Sequence, residues 1–180
     1  MARGAGCLLL LGVLLFSPAP AWAVPAPMSP HDLMAASDLV ALVRVLAVTC
    51  VGVFKDGHTG ENLPSYQAEL RIVQVKKGSV REGDTVIVGW HEIPRGLLGP
   101  WVVRYFPGEE VWTHLQHDYQ GSGYSTTWWN ARGDQVRPPD TTELPRTPGE
   151  VVRARYTGRL RVPGVLASFS DWLRRLGRYV

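Results

Sequence analysis

Three histidines raise the first chemical question. His91 follows one apolar run, and His114-Leu115-Gln116-His117 sets two more imidazoles three residues apart. On a helix that spacing brings both rings to one face, an arrangement suited to zinc or copper. The surrounding Val111 to Leu115 reads instead as a strand, where residues three apart point to opposite faces. A site built from His91, His114 and His117 therefore requires a turn after Leu115. His91-Glu92-Ile93-Pro94-Arg95 lacks the second histidine of a zinc-protease helix, and Pro94 would break that helix. The remaining candidates for chemistry are weaker. No G-x-S-x-G elbow is present, and Gly121-Ser122-Gly123 reads as a hairpin loop. Glu109 and Glu110 are adjacent, so on a strand they point apart and make a poor acid–base pair. Arg132-Gly133-Asp134 reads as a turn. No cofactor-binding signature emerges, and the expectation is a chain without one.

Aromatic residues are concentrated in one region. Trp90, Trp101, Tyr105, Phe106, Trp112, Tyr119, Tyr124, Trp128 and Trp129 fall within forty positions. Most belong to a core and its rim. Trp112 and Trp129 are candidates for a contact surface, because exposed tryptophan is enriched where proteins meet. Five-stranded barrels of the OB type also stack nucleic-acid bases on aromatics. A net charge of only +3, without a continuous basic stripe, argues against that partner.

The elements that must position these residues are mostly strands. Leu39 to Val53 is almost continuously apolar and β-branched, the composition of a long buried strand. Lys55 to Pro64 reads as a loop. Tyr66, Ala68, Leu70 and Ile72 then alternate with polar residues, and the inward set shifts to Val73 and Val75, which predicts a β-bulge. Thr85 to Trp90, Trp101 to Phe106, Val111 to Leu115 and Tyr124 to Trp129 complete five or six short strands. His31 to Ala36 is expected to form one helical turn after an extended leader, 24–36. The fold class is mainly β: a small OB-like barrel over 37–136. Residues 137–150, rich in proline, read as a linker to a tail, 151–180. In that tail Val165, Leu166, Phe169, Trp172, Leu173 and Leu176 recur at helical spacing, opposite Asp171, Arg174, Arg175 and Arg178. Such a basic amphipathic helix either lies on an anionic membrane surface through its arginines or packs its Phe169 and Trp172 face on protein.

The first residues set the compartment. Arg3, the apolar run Leu8 to Phe16, and Ala21-Trp22-Ala23 have the layout of a secretory signal peptide, 1–23, cleaved before Val24. The protein is thus expected to be exported, to a periplasm or outside the cell. Cleavage removes Cys7 and leaves Cys50 alone, so no internal disulfide can form.

Ser37-Asp38-Leu39-Val40-Ala41-Leu42-Val43-Arg44-Val45 resembles the opening strand of netrin-like domains, among them the tissue inhibitors of metalloproteinases. The loop to Tyr66, the strand ending Lys76-Lys77-Gly78, and Pro107-Gly108-Glu109-Glu110-Val111-Trp112 resemble that family's next landmarks in the same order. The likeness spans Ser37 to Trp129 and implies a five-stranded OB-type barrel. Those inhibitors chelate the protease metal through an amino-terminal cysteine, whereas this mature chain would begin at Val24 and has none of their disulfides. The leading expectation is an exported, non-enzymatic binding module with a protein partner. The alternatives are a metal-binding protein or metal-dependent enzyme using the three histidines, and a secreted hydrolase inhibitor by analogy of fold.

Overall fold

β1, Leu39–Lys55, forms because its β-branched and leucine side chains are buried on both faces as far as Cys50. A strand that apolar is stable only between two covered surfaces. In the computed structural model, which describes residues 25–96, 102–118 and 123–155, the strand obtains them by joining three neighbours. β2, Asn62–Lys77, runs antiparallel along its full length. On the other edge, Leu39 to Arg44 pairs with β4, Glu110–His117, and Ala47 to Thr49 pairs with β7, Val151–Arg153. β3, Thr85–His91, extends the sheet from β2. β5, Tyr124–Thr126, is parallel to β3 and antiparallel to β4, and so closes a ring of five strands in the order β1-β2-β3-β5-β4-β1. β6, Arg132–Arg137, flanks β4 on the outside. The interior of the ring holds Leu39, Val43, Val45, Leu70, Val88 and Leu115, with the fully buried Tyr105 among them.

The expected bulge is present. Leu42 pairs with Gln74 but Val43 pairs with Ile72, so Val73 is the extra residue. A second irregularity lies at Leu46, between the pairs Val45–Leu70 and Ala47–Glu69. This is also where β1 changes partner from β4 to β7. The turn Pro107-Gly108-Glu109-Glu110 fills the gap: Gly108 N donates to Val45 O at 2.9 Å, and Val45 N donates to Glu109 O at 3.0 Å. Ala154 N donates to Leu46 O on the β7 side. Gly108 has φ of 90°, and a Cβ there would run into the Asp140 carboxyl. That carboxyl is itself fixed by Arg155 N at 2.7 Å.

A short helix, α1 (Pro30–Ala36), precedes β1. The Ser29 side chain accepts from Asp32 N at its start, Pro30 takes the first helical position, and Leu33 is buried. Its last carbonyls, on Met34 and Ala35, accept from the Lys77 ammonium of β2 at 2.8 and 3.1 Å.

Several expectations are corrected. Val102 to Phe106 joins no ladder; it is held instead by Tyr105, which is buried and shares a 2.5 Å hydrogen bond with Thr113. The strand expected to reach Trp129 ends at Thr126, since Thr127 N turns to His114 O. Of residues 137–150, read as a linker, Arg137 ends β6 and the rest run as a strap against the ring. Asp140 N donates to Pro107 O, Leu144 packs on the core, and Gly149 and Glu150 bracket Cys50 through main-chain bonds. The signal segment 1–23 and the amphipathic helix with Phe169, Trp172, Arg174, Arg175 and Arg178 lie outside the described residues. Among the described residues no helix is long and apolar enough to cross a membrane.

Gly108→Ala is expected to lower stability by about 1–3 kcal/mol through backbone strain alone. Denaturant titration would show it. Asp140→Ala in the same chain is expected to relieve the steric part and leave the strain, so the two effects should not add.

Candidate functional site

The three histidines are not brought together. His91, at the end of β3, shares a 3.0 Å hydrogen bond with Ser65 and meets the Phe54 ring edge-on at 5.7 Å. His114 donates from Nδ1 to Ala131 O at 3.1 Å on the outer side of β4. His117 lies 3.2 Å from the Asp38 carboxylate and against the Tyr124 ring. Strand alternation separates the last two. Among the described residues no three His, Cys, Asp or Glu side chains group to hold a metal. The three-histidine site is therefore not assembled.

The two tryptophans proposed as contact residues have partners within the chain. Trp112 lies beneath the Lys76 ammonium, 4.0 Å from the ring centroid, and a Cβ on Gly133 would come within 3.2 Å of it. Trp129 donates from its indole to Pro25 O at 3.1 Å. Each is half-buried rather than free.

The most unusual side chain is one whose role the sequence did not reveal. Glu109 is fully buried. Its Oε1 accepts from Phe106 N at 2.8 Å, and its Oε2 accepts from Arg132 and from Gln135, the latter at 3.1 Å. Arg132 also donates to Arg104 O at 2.7 Å. Burial pushes the Glu109 carboxyl above its ordinary range, opposed by the Phe106 N–H and the Arg132 guanidinium. All of these partners are structural. The cluster ties the turn to β6 and leaves no acid or base facing solvent. It also means that Arg132 of Arg132-Gly133-Asp134 is held inward.

What the ring leaves open is one end of the β1–β2 pair. Beyond Cys50 and Ser65, the two strands pair, among the described residues, only with each other, Gly52 with Ser65 and onward to Lys55 with Asn62, making a two-stranded arm. Asp56 closes its tip by accepting from Thr59 N at 2.7 Å. Val51, Val53 and Phe54 are exposed on this arm, and Val151 is exposed at its foot, opposite Thr49. Against the β2 side lies a groove of about 690 Å³. Its walls are stitched by Glu92 N to Pro64 O and by Arg95 N to Glu61 Oε2, both at 3.0 Å. Arg104 donates twice to Glu92, at 2.7 and 2.5 Å, and this pairing holds the guanidinium pKa above its usual value against the opposing effect of burial. The groove is lined mainly by polar surface, in which Arg104 and Glu92 are paired with each other. Comparison with known proteins finds no matching family model, no matching curated protein and no matching solved structure.

Glu109→Ala is expected to cost about 2–4 kcal/mol, because it takes the buried acceptor from a half-buried guanidinium and from a main-chain donor. Glu109→Gln keeps an acceptor for Phe106 N and should cost less. A carboxyl whose folded pKa is raised stabilises the fold below its unfolded value and loses that contribution as pH rises through the folded one. In urea titrations from acid to neutral pH, Glu109→Gln should therefore gain stability relative to the wild type as pH rises.

Proposed function

We propose that this protein is an exported, non-enzymatic binding module, a netrin-like OB-type barrel that holds a protein partner at the β1–β2 arm. The observation that carries the reading is the arm itself. Val51, Val53 and Phe54 are exposed on the stretch of β1 that, among the described residues, pairs with β2 alone, and Phe54 meets only the edge of the His91 ring. Exposed apolar side chains gathered on one projecting segment mark a candidate protein contact. The free edge of β1 at 51–55 adds main-chain donors and acceptors to which an extended partner segment can pair.

The barrel reading is supported by the ring order β1-β2-β3-β5-β4-β1, with its single parallel pairing between β3 and β5. That connectivity suits a five-stranded, partly open Greek-key barrel. Export is supported by the signal-like segment 1–23. The basic amphipathic tail would add a second contact, through Phe169 and Trp172 to protein or through Arg174, Arg175 and Arg178 to anionic lipid.

Site-specific photocrosslinking tests the reading. A photoreactive residue at position 53, in the mature chain exposed to its own envelope or secretome, is expected to give a discrete protein adduct. The same residue at the exposed position 143, on the strap, is expected to give none. Equal labelling at both positions, or none at 53, would reject the arm as the contact surface.

A further inference from the structure

The leader is not a loose end. Trp129 donates its indole N–H to Pro25 O at 3.1 Å, and Trp128 donates to Ala26 O at 3.2 Å. Asn130 holds the next contact from both sides, accepting from Met28 N at 3.2 Å and donating to Met28 O at 2.9 Å. Four hydrogen bonds from three consecutive residues thus fall on the leader's main chain. Among the leader's side chains Ala26 and Pro27 are exposed and Pro25 and Met28 half-buried, while the hydrogen bonds fall on its main chain. What is being recognised is backbone shape.

That shape is dictated by proline. Residues 24–30 read Val-Pro-Ala-Pro-Met-Ser-Pro. Each proline fixes its own φ near −65° and excludes the helical region from the residue before it. Ser29, ahead of Pro30, has φ of −64° and ψ of 155°, close to polyproline II. In that conformation carbonyls project outward without internal partners, and indole N–H groups on an aromatic surface are a recurring way to bind them.

The receptor side is built in advance. Ala131 N donates to Trp128 O to close the turn, and Thr127 N and His114 N tie it to β4 by main-chain bonds. The backbone that carries the three side chains is therefore set by the sheet and not by the leader. Beside them an open groove of about 410 Å³ is bounded by Val102, Val103, Phe106, Trp129 and Arg132, which leaves room for a ligand longer than the leader.

We propose that Trp128-Trp129-Asn130 is a receptor for an extended proline-rich segment of a partner protein, occupied here by the chain's own leader as a tethered ligand. This goes beyond the arm contact and uses a different face of the domain. A tethered ligand lowers the apparent affinity of an external one by the fraction of time the cradle stands open. Loosening the leader should then expose the site.

The test follows the indole N–H resonances of Trp128 and Trp129 in the full chain, assigned with Trp128→Phe and Trp129→Phe. A synthetic peptide, Val-Pro-Ala-Pro-Met-Ser-Pro, is titrated against the native protein and against Pro25→Gly/Pro27→Gly, whose leader has lost its preset shape. The peptide is expected to move both indole signals saturably and to bind the loosened variant about tenfold more tightly. A control peptide with glycine at every proline position should fail. Asn130→Ala should abolish binding while leaving the methyl signals of the core unchanged. Indole signals unmoved in the loosened variant, equal binding of the glycine peptide, or binding that survives Asn130→Ala would each overturn the proposal.

Discussion

β1 cannot keep one partner along its outer edge, because the strand bends at Leu46 as the ring closes. Its hydrogen bonds must pass from β4 to β7 across that bend, and unpaired main-chain groups buried there would be costly. The turn at Pro107 to Glu110 supplies the missing rung. It needs a left-handed residue, which Gly108 provides with no Cβ to meet Asp140. It needs an anchor as well. Glu109 gives one by burying a carboxylate that accepts from Phe106 N, Arg132 and Gln135 at once. A buried charge of this kind is tolerable only when its lone pairs are occupied, so the turn, β6 and the strap stand or fall together.

The proposed function follows from where this frame stops. The ring is packed as far as Cys50, and beyond it β1 and β2 continue as an arm with exposed apolar side chains. A rigid base with a less protected extension is the arrangement expected of a recognition surface, since binding segments come from the less stable end of a fold. The leader cradle lies on a different side of the same frame, held to β4 at Thr127 and His114. Both proposed contacts therefore depend on β1 and β4 keeping their register.

Much of this frame was legible from residue pattern. The apolar run of β1 announced a doubly buried strand, and the shift from Ile72 to Val73 announced the bulge that the pairing displays. β6 was missed because Arg-Gly-Asp-Gln-Val-Arg lies on the outside of β4, largely exposed, and has no apolar alternation to betray it. β7 was missed because three residues after a proline-rich stretch carry no period. Glu109 was discounted for its neighbour, although the inward alternation of Val111, Thr113 and Leu115 extends back to it. Trp112 was read as a candidate contact residue, and its cover by Lys76 was not legible, since that contact joins strands distant in sequence. The metal reading failed for the reason strand geometry gives, with His114 and His117 directed to separate partners.

Amide hydrogen exchange on the full chain tests the dependence on the β1 junction most directly. The amides of Val45 and Gly108, which close the rung, are predicted to exchange only with global unfolding, while those of residues 51–55 exchange through local opening. Exchange of Val45 and Gly108 as fast as the arm would show that the junction opens independently, and would contradict the account.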